Sequence, residues 1–249
     1  EKVKNELPVP SFPSLSMNAA TVAAVDAAAI AALAGWHLRS QPAAPAFGAA
    51  GVDVMLTISV WIVLLEFTAR GLRHYSWSAF VTRKLCHAGC GLGIMLLDPA
   101  VLADRIFVWG VAASSILMTW GLSPIPAFRF SRPRDVGVTA YLGLVSFWFY
   151  LRLSPPILAP VFFADPAGAI VGKGAAKVLG ERNPRWYQQK TLAGSLAVLA
   201  LTYLTISYSC TTLQRGAISL AAALAEAFGG DYDNLALAAV VLIGWHSVG

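Results

Sequence analysis

From Val52 to its end the chain is a series of apolar runs, joined by short loops that collect most of the charge. A helix that is apolar all round must be buried in protein or surrounded by lipid. A single soluble core cannot hide many such helices in succession. The composition points the same way: 57% of residues are hydrophobic and 12% are charged, about half the usual charged share of ~25%. Mean hydropathy is +0.64. The expected fold is therefore all-α, a polytopic membrane helical bundle of about 8–9 transmembrane or re-entrant helices.

The expected spans are Asn18–Trp36, Val52–Arg70, Leu85–Leu102, Ile106–Gly121, Val136–Leu151, Ile157 to about Val178, Leu192–Leu213, Ala217–Phe228 and Asn234 onward. The segment Ala217–Phe228 is short of the ~17–25 residues a crossing needs, so it reads as spanning or re-entrant. Of the 18 lysines and arginines, only Arg39, Arg105, Arg152 and Arg215 fall on one side of this topology. The rest fall on the other, a positive-inside bias. That bias accounts for the net charge of +5 without nucleic acid as a partner.

Residues 1–17, with Pro8, Pro10 and Pro13, read as an irregular tail, and 18–51 as an extra alanine-rich helix and linker. Residues 52–249 read as one membrane domain. Cys86, Cys90 and Cys210 give neither a disulfide framework nor a zinc knuckle, since Cys86 and Cys90 share a helix face. The chain begins at Glu1 and shows no signal peptide, which fits an organellar protein.

The stretch Ala159–Ser195 carries the chemistry. It sets Asp165 in an apolar run between Pro160 and Pro166, then Gly168, Gly172, Lys173 and Lys177, then Lys190 ahead of Gly194-Ser195. A carboxylate in such surroundings needs a partner or a task. On the same side of the membrane stand Arg83, Lys84 and His87, then Arg134 and Asp135, Glu226, and Asp231, Asp233 and Asn234. Carboxylates and an amide can hold Mg²⁺, which prefers oxygen ligands and arrives with phosphates. Lysine and arginine neutralise phosphate, and glycine lets backbone approach it. The mixture suggests a nucleotide-using enzyme acting on a membrane lipid. Taken singly, each feature has a plainer reading. Asp165 could pair with a basic residue across helices, Gly168 and Gly172 could serve helix packing, and Asp231 and Asp233 could cap a helix.

The ordered set Arg83-Lys84-x-x-His87, Arg134-Asp135-x-Gly137 with Tyr141, Asp165 through Gly172, Lys190-Thr191-x-Ala193-Gly194-Ser195, and Glu226 with Asp231-Tyr232-Asp233-Asn234-Leu235 resembles the phytol kinase and dolichol kinase family. These are CTP-dependent polyprenol kinases. The resemblance implies phosphoryl transfer from CTP, or another nucleotide, to an isoprenoid alcohol. It implies catalytic roles for Asp165, Lys190 and His87. It implies nucleotide contacts from Arg83, Lys84, Gly172, Lys173, Gly194 and Ser195. Mg²⁺ would be held by Asp165, Asp231, Asp233 and Glu226. The phytol kinase form of the Lys190 element points to a plastid membrane, thylakoid or envelope, with the mitochondrial inner membrane as second choice.

Ala164 and Pro166 stand where the family carries glycine and a small residue, and Tyr232 separates Asp231 from Asp233. These departures support an alternative: an inactive homologue serving as a structural subunit of a larger membrane complex. Phosphatidate cytidylyltransferase is a third reading, less favoured by the Arg83–His87 element and the Asp231–Asn234 ending.

Overall fold

The structure, a computed structural model, describes residues 49–74, 78–128 and 131–248. The expected tail, the Asn18–Trp36 helix and most of 18–51 lie outside the described residues. Eight α-helices follow in order: α1 Ala49–His74, α2 Ala79–Ile94, α3 Leu102–Thr119, α4 Val136–Tyr150, α5 Ala159–Leu179, α6 Leu192–Thr205, α7 Thr212–Phe228 and α8 Asp233–Val248. Between α5 and α6 lies a small antiparallel hairpin of β1 (Arg185–Tyr187) and β2 (Lys190–Thr191), pairing Arg185 with Thr191 and Tyr187 with Lys190. Among the described residues the fold is all-α apart from this hairpin. Among the described residues, two helical stretches, Leu102–Thr119 and Pro155–Arg182, are long and apolar enough to cross a membrane.

Helix α5 is the axis of the bundle and packs against α2, α6 and α8. Its Val161, Phe162 and Ala164 are fully buried, in a core shared with Trp148 and Phe149 of α4, Val198 of α6 and Leu237 and Val241 of α8. Small residues allow these approaches. A Cβ on Gly91 of α2 would lie 2.5 Å from Phe162 Cβ. A Cβ on Gly172 would lie 3.0 Å from Thr191 Oγ1 and 3.3 Å from Gly194 Cα. Pro166 removes one amide from the helical ladder, yet α5 continues through it to Leu179.

Several expected boundaries move, each for a local reason. Helix α2 starts at Ala79 because Ser78 caps it, accepting from Val81 N at 3.3 Å. Arg83, Lys84 and His87 therefore lie within the helix rather than at its opening. Helix α3 starts at Leu102, so Arg105 is not a loop residue. It is buried, and its guanidinium donates to the carbonyls of Pro99 and Ala100, closing the turn before the helix. The expected Leu192–Leu213 span stops at Thr205. The next helix begins at Thr212, fixed by a reciprocal capping box between Thr211 and Gln214. It runs 17 residues rather than starting at Ala217. Arg215, also expected in a loop, is helical and donates to the Tyr203 and Ile206 carbonyls at the end of α6.

Candidate functional site

Asp165 lies about two turns into α5 and is 1% exposed. Lys84 reaches it from α2, with Nζ donating to Oδ1 at 2.8 Å and Oδ2 at 2.5 Å. This partner is the cross-helix cation that the sequence left unnamed. A second cation arrives on the hairpin: Lys190 Nζ donates to Glu226 at the end of α7 and stands 3.6 Å from Asp233 at the start of α8. Burial works against the Lys190 charge, but Glu226, Asp233 and Asp165 outweigh it and hold the ammonium above its ordinary value. One carboxylate oxygen each from Asp165, Glu226 and Asp233 lie within 4.8 Å of one another. Residues far apart in sequence thus become one acidic triad with a lysine on either flank.

The rim above the triad is basic. Arg83 pairs with Asp135, which also caps α4 by accepting from Val138 N at 3.2 Å. Lys173 lies over the Phe80 ring, 3.2 Å from its centroid. The charges it feels most strongly are all cations: Arg132, Arg83, Lys177 and Lys84. Such like charges repel one another unless an anion lies among them.

Triad and rim open into one cavity of about 880 Å³, whose other end is apolar. That arm runs between α1, α2, α3 and α4 past Trp61, Ile62, Phe107 and Leu142. Ile58, Leu97, Val108 and Val145, all buried, line it too.

The remaining expected residues fall into two groups. Gly172 and Gly194 line the cavity but meet each other at the α5–α6 seam. The Gly172 carbonyl accepts from Asn183 Nδ2 at 3.4 Å, and the Gly194 amide donates to Thr191 Oγ1 at 3.2 Å. Their backbone serves packing and capping. Ser195 Oγ accepts from Trp186 Nε1 at 2.9 Å. Asp231, in the 3₁₀ turn Gly230–Tyr232, is exposed and stands outside the triad. Its place in the motif suggests a ligand, but the turn directs Asp233 rather than Asp231 to the cluster.

Among the described residues, three that line the cavity carry a buried polar atom with no hydrogen-bond partner: Asn234 Oδ1, His87 Nε2 and Tyr141 Oη. Tyr141 carries no assigned role from sequence, and Asn234 enters only as an amide that can join the carboxylates on Mg²⁺, although both belong to the motif set. Nothing in their spacing shows that their polar ends would be left unpaired.

The donor set fits Mg²⁺. All three triad groups are hard oxygen donors, and the unpartnered Asn234 Oδ1 adjoins Asp233. With Mg–O bonds of ~2.1 Å, opposite ligands lie ~4.2 Å apart and adjacent ones ~3 Å apart, so the triad, within 4.8 Å, would draw together to hold the ion. Compared with family models, curated proteins and solved structures, the chain matches none.

Proposed function

We propose that the chain is an integral membrane phosphotransferase that moves a phosphoryl group from CTP, or another nucleoside triphosphate, to an isoprenoid alcohol. The observation that carries this reading is that one cavity is lined by cations, by the acidic triad and by a group of apolar side chains. A polyphosphate, a divalent cation and a lipid chain are the ligands complementary to those zones. The bilayer setting draws support from α1, where Leu56, Val60, Val63, Leu64 and Phe67 form an exposed apolar face, and from the two helices of spanning length.

In this reading Arg83, Lys173 and Lys190 offset the phosphate charge. Asp165, Glu226 and Asp233, with Asn234 beside them, would hold Mg²⁺, which supplies further neutralisation on the phosphates. The lipid hydroxyl oxygen bonds to the γ-phosphorus while the bond from that phosphorus to the β–γ bridging oxygen breaks. The nucleoside diphosphate leaves, and the hydroxyl proton passes to Asp165. Lys84, doubly bonded to Asp165, fixes that carboxylate in place.

The test is direct. Purified protein in nanodiscs, given Mg²⁺, labelled CTP and phytol, farnesol or dolichol, is expected to yield the prenyl phosphate. Asp165→Asn should lower turnover by about 10²–10⁴-fold. No turnover with any nucleotide and prenol pair would overturn the proposal. One observation favours the structural-subunit alternative: Lys84 already satisfies both oxygens of Asp165. Stoichiometric co-purification with a larger membrane assembly, together with absent turnover, would select it.

A further inference from the structure

We propose that Tyr141 and His87 together form the hydroxyl-binding subsite of the cavity, a station for the single polar atom of a lipid alcohol. The inference deepens the reading above and rests on it for the class of lipid. Tyr141 is 6% exposed, and its hydroxyl has no hydrogen-bond partner. The imidazole of His87 bonds the Val161 backbone, while its Nε2 is buried without a partner. The two rings are in contact, with centroids 4.4 Å apart and planes tilted by 50°. The edge of Phe162, 6.1 Å from Tyr141 between centroids, supports the tyrosine ring from α5. Two cavity-lining residues on different helices, with their rings in contact, thus each carry an orphaned polar group. Most buried polar atoms are paired, and each exception calls for an explanation.

The position of the pair specifies the ligand. His87 lies one turn beyond Arg83, ~6 Å along α2, and Tyr141 six residues beyond Asp135, ~9 Å along α4. Both therefore sit below the cationic rim by roughly the depth of a phosphate. His87 also lies within electrostatic reach of Asp165, the proposed proton acceptor. Below them the wall is apolar, through Leu142, Ile94 and Val145 to Leu97. A neutral imidazole has one donor and one acceptor, and a phenol can do both. One hydroxyl, able to accept from one group and donate to the other, satisfies the pair. An ether oxygen can only accept, and a hydrocarbon can do neither.

The experiment measures binding without nucleotide, so it is independent of turnover. Full-length protein in nanodiscs is titrated with tritiated farnesol. Competition follows with unlabelled farnesol, farnesyl methyl ether and the parent hydrocarbon, each expressed as mole fraction in the lipid. The wild type should prefer the alcohol to the hydrocarbon by about tenfold or more, with the ether between. Tyr141→Phe, which keeps the ring, should shrink that preference to within about threefold and leave hydrocarbon affinity unchanged. His87→Phe should act likewise, and His87→Gln should restore part of the preference. Equal binding of alcohol and hydrocarbon by the wild type, or an undiminished preference in both phenylalanine variants, would overturn the subsite. If the preference behaves as expected but no phosphoryl transfer occurs, the subsite stands and the kinase reading fails. Transfer with a preference insensitive to both residues would sustain the kinase and discard the subsite.

Discussion

Lys84 and Asp165 carry the largest single-residue consequence. Their ion pair is made where Asp165 is 1% exposed, so either charge left alone faces a poor solvent. Breaking such a pair from one side costs about 3–5 kcal/mol. Asp165→Asn is therefore expected to lower the thermal midpoint as well as turnover. Adding Lys84→Met should recover much of the stability and none of the activity. A double-mutant cycle on unfolding in detergent reads the coupling, and strictly additive losses would count against it. Tyr141 predicts the opposite sign. Its hydroxyl has no partner, so Tyr141→Phe should be neutral or stabilising by up to ~1 kcal/mol in the absence of lipid alcohol. Glu226→Gln keeps the shape and removes one triad charge. Mn²⁺ binding followed by electron paramagnetic resonance should weaken by roughly tenfold or more, and unchanged affinity would exclude Glu226 from the metal site.

Among the elements, the seam between α5 and α6 controls whether the site assembles. A Cβ at Gly168 would collide with the Val198 side chain and stand 3.1 Å from the Gly194 carbonyl oxygen. That backbone contact cannot swing away. Gly168→Val should cost about 1–3 kcal/mol by overpacking and displace Lys190, which enters on the hairpin directly before α6. Gly174, on the same helix, has nothing within 4 Å of its Cβ position, so Gly174→Ala should be neutral or stabilising by up to ~1 kcal/mol. Thermal scans of the two variants test this contrast, and equal midpoints would refute it. The helices themselves are largely readable from sequence, because long apolar runs leave few alternatives. Their ends are less so. Arg83 and Lys84 look like loop residues until Ser78 is seen to cap the helix before them. Arg105 looks exposed until its guanidinium is seen to close the Pro99–Ala100 turn. The hairpin Arg185–Thr191 leaves no clear signal, since its strands are only three and two residues long.

Across the molecule, the field at the cavity mouth is the controlling quantity. Arg83, Lys84, Arg132 and Lys173 line the cavity there, and Lys173 feels the other three and Lys177 as like charges. Their summed potential should draw nucleotide in and weaken as salt screens it, with a Debye length of ~10 Å at 0.1 M. Replacing both Arg132 and Lys173 with glutamate should reduce Mg²⁺-nucleotide affinity by about tenfold or more at low salt, and by less at high salt. Neither residue touches the triad, so equilibrium binding at several ionic strengths isolates the effect. A loss independent of salt would indicate damage to the fold instead.

Hydropathy, run length and the placement of charge are local quantities. They suffice to make the chain helical and, among the described residues, to make two helical stretches long and apolar enough to cross a membrane. They also mark Asp165, Lys190, Glu226 and Asp233 as residues whose charge needs an explanation. The pairing of those charges is set by the packed bundle. Lys84 bonds Asp165, Lys190 bonds Glu226, and Asp231 stays outside while Asn234, His87 and Tyr141 are left with unpaired atoms. Such choices depend on helix rotation and on contacts such as Gly168 with Val198 and Gly91 with Phe162. They are distances between segments far apart in the chain, and no local pattern contains them.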